Sequence, residues 1–431
     1  MTAIARNDGL RASALRTRYG ESRRKMAQVS KQELEALRSG LTTIAVTGTN
    51  GKTTTTSMLA AIARKAGHSV ALVTTLGMWV DDEQVARDGS FASFVRTLRR
   101  ARAAGAKTLA LEVTSRALAA GFAARWPADI AVFTNLTRDH LDRHGTPERY
   151  LAAKAQLFLQ LAAGGTAVLN AADRASALLA EVTKPGVSLR RFQGAGGESC
   201  NADLAAEQVD SDETSSLARL HDSPLAIALG REISVGTGGT FNVDNALAAA
   251  LAASAAGLDP DAIKAGLAQF GGVAGRFEVI SRKPLCIVDF AHTPDALTRC
   301  LGQARQLAEA RGGQLICVFG CGGQRDPEKR EPMGEVVDRF AHVAWLTADN
   351  PRSEDPRDIA DMVRKGFRGR STLHEEPDRA SAIAQAISAA APADVVVLAG
   401  RGHEPTQRLL DTEVALSDAE VARAALGPSA T

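Results

Sequence analysis

TTIAVTGTNGKTTTTSMLAAIARKAG (42–67) decides the architecture of this chain. Its opening run, TTIAVTG (42–48), is β-branched and apolar, a short turn with two glycines follows, and an Ala-rich stretch of helical composition completes it. Glycines let backbone N–H groups turn towards an anion, and a helix N-terminus adds partial positive charge. Lys52 is placed to reach terminal phosphate oxygens, and Thr53 offers a hydroxyl to Mg2+. The standard phosphate loop, G-x-x-x-x-G-K-[ST], has glycine where Val46 stands here. The order strand, loop, helix nonetheless predicts a phosphate-binding loop made of Gly48, Thr49, Asn50, Gly51, Lys52, Thr53 and Thr54. The competing reading is a glycine turn with no ligand.

The alternation continues outward. SVALVTT (69–75), KTLALEV (107–113), DIAVFTN (129–135) and TAVLNAAD (166–173) read as buried strands separated by helical segments, which argues for a parallel sheet covered on both faces. Region 185–240, rich in Gly, Ser, Asp and Glu, has no readable order and leaves room for an antiparallel excursion. Two helices, NALAAALAASAAG (245–257) and DAIKAGLAQF (261–270), then lead to GGVAGRF (271–277), read as a domain boundary and hinge. Beyond it LCIVDFAHTPDAL (285–297), QLICVFGCGG (314–323), HVAWLTADNPR (342–352) and DVVVLAGRGHE (394–404) each run from an apolar strand into a polar loop. The predicted class is α/β, with two doubly wound, mostly parallel-sheet domains: 41–273 carrying the phosphate loop and a Rossmann-like 274–431.

Residues 1–40 differ, with nine Lys/Arg against four Asp/Glu. SKQELEALRSG (30–40) predicts a short helix with Ser30 as N-cap, Glu33 closing a capping box and Gly40 as the stop; 1–29 reads as a basic arm, solvated or contacting an anionic partner. Over the 431 residues, 51 Lys+Arg against 49 Asp+Glu leave a net charge of +2, which gives no electrostatic case for nucleic acid. No run approaches a membrane span, and the N-terminus has no apolar stretch of signal-peptide type. Five cysteines without CxxC spacing speak against a disulfide framework or zinc site and fit a reducing cytoplasm.

Ligands of open α/β sheets bind at the carboxyl ends of the strands, and the polar residues of this chain gather there. Glu112 ends the third strand, where a carboxylate opposite a phosphate loop suits a Mg2+–nucleotide complex. A helix cap or salt bridge is the alternative. TNLTRDHLDRHG (134–145) holds Asp139, His140, Asp142 and His144; His140 is a candidate metal ligand, although a loop histidine is commonly just solvated. Lys154, in ERYLAAKAQLF, reads from composition as a helix-surface lysine.

Ten ordered motifs resemble the Mur ligases: GTNGKTT (48–54), LEVTSRAL (111–118), TNLTRDHLDRHGT (134–146), YLAAKAQLF (150–158), FNVDNALAA (241–249), GRFE (275–278), VDFAHTPDAL (288–297), VFGCGGQRD (318–326), DNPRSEDP (349–356) and GRGHE (400–404). Within that family they are most similar to the MurE type. The resemblance implies an ATP-dependent amide-bond ligase of the ADP-forming class that phosphorylates a carboxylate to an acyl phosphate, which an amine then attacks. It implies Lys52 as the phosphate-binding lysine, Thr53 and Glu112 as ligands of one Mg2+, His140 at a second, and Lys154 as a lysine carbamylated by CO2. It further implies that Asn242 and Asn245 contact the adenine nucleotide, and that Arg276, Asp289 and His292 close over ATP from the second domain. Thr114, Ser115, Arg325, Asp349, Asn350, Arg352, Gly400 and Glu404 would contact the two substrates being joined.

In MurE-type ligases DNPR accompanies meso-diaminopimelate, since Arg352 suits a two-pronged contact with a distal carboxylate and Glu404 would meet the ammonium beside it. The alternative is a helix start after a proline turn. Some features depart from the family: about 40 residues precede the first strand where MurE types carry a UDP-gripping domain, Arg116 stands for His, Phe290 for Tyr, and Gln324 for Asp. These departures favour a MurE-like ligase whose small-molecule or peptide carboxylate, free or on a carrier protein, lacks a UDP handle. The alternative is the UDP-N-acetylmuramoyl-L-alanyl-D-glutamate:meso-diaminopimelate ligase of peptidoglycan synthesis, with the UDP end held loosely or by a partner subunit. A non-catalytic nucleotide-binding protein is a third reading, opposed by the retention of Lys52, Glu112, His140, Lys154, Asp289 and His292.

Overall fold

The computed structural model describes residues 29–196, 202–410 and 412–427, so most of the basic arm and Cys200 lie outside the described residues. In chain order the first sheet contains β1 (Thr42–Thr47), β2 (Val70–Thr74), β3 (Gly77–Val80), β4 (Glu83–Ala86), β5 (Thr108–Glu112), β6 (Ile130–Phe133), β7 (Thr166–Asn170), β8 (Ser188–Gln193), β9 (Leu204–Ser211), β10 (Ser216–Leu220) and β11 (Glu232–Val235). Their spatial order is β11-β10-β9-β8-β7-β6-β1-β5-β2-β3-β4. The middle of the sheet is parallel, and β1 lies between β5 and β6 with Val46 level with Glu112 on one side and Val132 on the other. That register brings Gly48, Glu112 and Thr134 to a single edge. Both ends turn antiparallel: β9–β10–β11 fills the stretch that had no readable order, and β2, read as a strand, runs on into β3 and β4, a meander absent from the sequence reading.

The Ala-rich segments become helices because they are buried. Thr240–Ala255 is apolar all round from Ala246 to Ala253 and packs beneath the sheet against Lys52–Lys65, whose Met58, Leu59 and Ile62 are fully buried. The helix Pro260–Ala268 approaches so closely that a Cβ on Gly266 would lie 2.5 Å from the Ile62 Cα. On the opposite face Phe94, Trp126, Phe133 and Phe158 form a second core, and the Trp126 indole donates to Thr43 Oγ1 at 3.1 Å. Helix Lys31–Arg38 is capped by Ser30, whose Oγ accepts from the Glu33 amide. Glu33 does not close a capping box; its carboxylate pairs instead with Arg99 at 2.6 Å.

The second sheet comprises β12 (Glu278–Arg282), β13 (Leu285–Asp289), β14 (Leu315–Phe319), β15 (Val343–Leu346), β16 (Thr372–Glu375) and β17 (Val395–Ala399), in the order β12-β13-β17-β14-β15-β16. All its pairings are parallel except β12–β13. The carboxyl ends of β13, β17 and β14 therefore lie side by side, at the type of crevice that open α/β sheets use for ligands. A separate hairpin, β18 (Thr406–Leu409) and β19 (Thr412–Ala415), follows. Among the described residues no helix is long and apolar enough to cross a membrane, and the four cysteines are buried and free.

Candidate active site

Loops from the carboxyl ends of both sheets line a single cleft of about 560 Å³, and every residue singled out above as a site candidate lies on its wall. Gly51 takes φ +82° where the loop enters its helix, and a Cβ there would sit 2.2 Å from Asn245 Oδ1. The loop is braced from β6: Asn50 N donates to Asn135 Oδ1 at 2.9 Å, and Thr134 Oγ1 donates to the Asn50 carbonyl at 2.6 Å. The Lys52 ammonium donates to the Thr49 carbonyl at 2.7 Å. Burial pushes its pKa down, Glu112 and Asp139 oppose this, and Arg276 adds to it.

Glu112 is held by three donors on one oxygen: Thr53 Oγ1 at 2.9 Å, Thr75 N at 3.1 Å and Thr75 Oγ1 at 3.3 Å. His140 adopts the left-handed φ of +56°, with Nε2 3.4 Å from Asp139 Oδ2. Burial takes the His140 pKa down to about 3 against the pull of Asp139, so its imidazole is neutral and has a lone pair to offer. Burial would raise the Asp139 pKa, but His292, His140 and Lys329 outweigh it and hold the carboxyl well below the usual range.

Lys154 corrects its sequence reading. It is buried on helix Pro147–Leu159, donates to the Gly48 carbonyl at 2.5 Å, and stands 4.3 Å above the Tyr150 ring. Desolvation by burial, reinforced by Lys52, drives its pKa well below the ordinary lysine value, with Asp139 and Glu112 opposing. A signal was present in the spacing: Tyr150, Lys154, Leu157 and Phe158 share a buried helical stripe.

From the second sheet, Asp289 accepts from Phe277 N and Ala291 N, each at 2.7 Å; burial raises its pKa despite Arg276. His292 Nδ1 donates to the Phe290 carbonyl at 2.8 Å. The Arg276 guanidinium lies 4.1 Å over the Phe290 ring, and its buried Nη1 has no hydrogen-bond partner among the described residues. That orphaned donor, the Lys52 ammonium and the Gly51 turn fit a polyphosphate. The Thr53 hydroxyl, the Glu112 carboxylate and the neutral His140 suit a divalent cation. Among the described residues no three His, Cys, Asp or Glu side chains enclose such an ion, so phosphate oxygens and water would complete its shell.

Asn242 and Asn245 bond to each other at 3.1 Å, and Asn242 also donates to the Gly238 carbonyl at 2.7 Å, so this pair props the phosphate loop from below. Asp244 beside them faces Arg299 at 3.5 Å, Arg299 faces Asp295 at 3.4 Å, and Asn50 Nδ2 donates to Asp295 at 2.9 Å. The resulting ladder crosses from one sheet's loops to the other's. Burial raises the Asp244 pKa to about 6 from the ordinary 3.8, against Arg299. Ionising Asp244 therefore costs stability above about pH 6, and the cost disappears as pH falls through 6 towards 3.8. Asp244→Asn is expected to stabilise the protein at pH 8 by about 1 kcal/mol, roughly 2–4 °C in Tm, with the gain vanishing near pH 4. Equal melting shifts at both pH values would contradict this assignment.

At the far end of the cleft Arg352, at φ +55°, donates from Nη1 to Gly323 O at 2.6 Å and Asn350 O at 3.2 Å, and has no ion pair among the described residues. Asn350 Nδ2 donates to Glu404 Oε2 at 2.8 Å. Burial and then Asp349 raise the Glu404 pKa, while Asn350 and Arg401 oppose the rise. The Asp349 carboxylate approaches Gly400 so closely that a Cβ there would lie 2.9 Å from Oδ2. Arg325 reaches across the cleft to Asp142 at 3.5 Å. Thr114 caps the helix Ser115–Ala119, and Ser115 Oγ lies 3.0 Å from His144 Nε2. Sequence reasoning missed Tyr150, Asp244, Lys329 and Arg401, whose positions depend on contacts far apart in the chain.

Residues 46–253 match the Mur ligase middle domain, and residues 275–402 match the Mur ligase glutamate ligase domain. The UDP-N-acetylmuramoyl-L-alanyl-D-glutamate–2,6-diaminopimelate ligase of Synechococcus elongatus is 41% identical over 392 residues, 89% of this chain and 76% of that protein. The protein of the same name from Halalkalibacterium halodurans is 40% identical over 414 residues, 94% of this chain and 82% of its own. A solved structure of a ligase with that name aligns with a TM-score of 0.61 at 32% identity, covering 90% of this chain and 78% of the other. The fold also matches Mycobacterium tuberculosis folylpolyglutamate synthase complexed with ADP, with a TM-score of 0.69 at 18% identity over 86% of this chain and 91% of that one. With a phosphate loop, a facing arginine and both domains matched in order, the chain belongs to the Mur ligase family of ATP-dependent, ADP-forming amide ligases.

Proposed function

We propose that this protein joins the glutamyl carboxylate of UDP-N-acetylmuramoyl-L-alanyl-D-glutamate to an amino group of meso-diaminopimelate, with ATP converted to ADP and phosphate. The observation that carries the amine assignment is the pairing, at one end of the cleft, of an Arg352 guanidinium without an ion pair among the described residues and the Glu404 carboxylate. Together they complement a carboxylate and an ammonium on one carbon. The relatives about 40% identical over most of the chain carry that activity in their names. This support outweighs the case for a carboxylate without a UDP handle, which rested on the short lead before β1 and on Arg116, Phe290 and Gln324. An ATP-consuming step on a nucleotide-linked substrate belongs in the cytoplasm.

In this reading Lys52, Arg276 and the loop amides bind the phosphates and offset the negative charge of the transferring phosphoryl group. Mg2+, when bound at Thr53, Glu112 and His140, supplies further charge neutralisation. The acceptor carboxylate attacks the terminal phosphorus, ADP departs, and an acyl phosphate forms. The amine then attacks the acyl carbon and phosphate leaves. Thr114 and Ser115 line the acceptor side, while Asn242, Asn245, Asp289 and His292 keep the nucleotide end in shape. Lys154 is carbamylated in the active enzyme; a depressed amine pKa is what reaction with CO2 requires. The cleft is bridged by Arg138 to Asp326 at 3.2 Å and by Asn50 to Asp295 at 2.9 Å, contacts suited to keeping water from the acyl phosphate.

The deciding assay is ADP release with Mg-ATP, bicarbonate and UDP-N-acetylmuramoyl-L-alanyl-D-glutamate, with and without meso-diaminopimelate, followed by mass spectrometry. A tripeptide product with ADP release dependent on the amine is expected. No turnover from protein that still binds ATP would return the search to smaller or carrier-bound carboxylates.

A further inference from the structure

The turn that carries Gly400 and Glu404 rests on three charged side chains with no solvent exposure: Arg379, Arg401 and Asp418. Asp418 is the first residue of the helix Asp418–Leu426, which packs behind the amine end of the cleft without lining it. Arg379 grips it with two hydrogen bonds, Nε to Oδ1 at 2.8 Å and Nη2 to Oδ2 at 2.6 Å. Arg401 Nε stands 3.6 Å from the same Oδ1. Taking such ions out of water costs several kcal/mol each, and well-packed apolar residues often stabilise a core as well. Their arrangement gives the cluster a second role.

Arg401 ties together three segments that form the amine end. Its Nη2 donates to Thr406 O at 2.8 Å and Leu416 O at 3.0 Å, and its Nη1 donates to Asn350 Oδ1 at 3.2 Å. The Arg408 amide donates to the same Asn350 oxygen at 2.9 Å. With two donors on Oδ1, the Asn350 amide has one tolerable orientation, and its Nδ2 is left facing Glu404 Oε2 at 2.8 Å. Reversed, the amide would set its oxygen against the Glu404 carboxylate. Arg379 secures the start of the turn, donating to Ala399 O at 2.9 Å.

We propose that Asp418 is a positioning residue for the amine substrate: it orients Arg401, which fixes the Asn350 amide and through it the Glu404 carboxylate that receives the ammonium. The inference rests on the diaminopimelate reading above. The final helix, which does not line the cleft, thereby sets affinity for one of three substrates.

The test uses the full chain in the ligation assay, measuring KM for each substrate in turn. Asp418→Asn keeps the shape and removes the charge. It is expected to raise KM for meso-diaminopimelate about tenfold, with kcat and KM for ATP and the acceptor within about twofold of wild type. In a Glu404→Gln background the same change should add nothing, because both act on one contact. If Asp418→Asn is insoluble, Arg401→Lys, which keeps the charge and loses the planar fork, should give the same selective rise. An unchanged KM for the amine, a parallel rise for all three substrates, or full additivity with Glu404→Gln would overturn the proposal. Failure of the wild type to use diaminopimelate would be seen before any variant is made, and would remove the amine reading and this inference together.

Discussion

Lys52→Ala is expected to lower kcat for ligation by about 10³-fold while the protein keeps its fold and melts at or above the wild-type temperature. The two halves of this result have one cause. The Lys52 side chain is partly buried at the cleft wall, and its ammonium donates to a backbone carbonyl, Thr49 O. Burial is the largest influence on its pKa and lowers it. Below the ordinary lysine pKa the unfolded chain therefore holds that proton more firmly than the folded one, and the charged side chain costs folding free energy at neutral pH. Alanine removes this cost. It also removes the cation at the mouth of the phosphate loop, which shares the charge developing on a phosphoryl group with Arg276 and the loop amides. Steady-state kinetics beside a thermal melt checks both. A loss below tenfold, or a melt lowered by more than a few degrees, would mean that Lys52 serves the loop's structure more than the reaction.

Much of this site was legible in sequence because its residues follow strands. Apolar runs ending in polar loops locate Glu112 and Asp289 on strand ends and Asp349 in the loop just past one, and a parallel sheet sends those ends to one edge. The β2–β3–β4 meander was not legible: GMWV and EQVA are too short to show alternation, and Trp79 and Gln84 pair only once the turn between them forms. Lys154 shows the limit of composition. Its neighbours at 150, 157 and 158 mark an apolar stripe, yet lysine on a helix is so commonly solvated that residue type overrode periodicity. Arg401 and Asp418 were invisible for a different reason, since their pairing requires a loop after β17 and a terminal helix to meet in three dimensions.

Lys154 also carries the last large effect. Lys154→Ala is expected to cut ligation by about 10²–10³-fold, and wild-type protein freed of CO2 should lose activity until bicarbonate is returned. The side chain sits among Lys52, Asp139, Glu112 and the Tyr150 ring, fully desolvated. Desolvation disfavours the ammonium, and the neighbouring Lys52 disfavours it further. The neutral amine that results is the form that attacks CO2, forming an N–C bond and releasing a proton. The product replaces a potential cation beside Lys52 with an anion, which suits both Lys52 and any divalent ion at Thr53 and Glu112. Because the neutral amine is required, activity restored by bicarbonate should fall on the acid side as protonation competes. Acetate or formate is expected to recover part of the Lys154→Ala loss by placing a carboxylate in the vacated space. Isotope-labelled bicarbonate gives a readout independent of turnover, a carbamate carbonyl resonance present in wild type and absent from the variant. Active wild-type protein without that resonance would show that Lys154 works as a plain amine, and its depressed pKa would then favour proton transfer over carbamate formation.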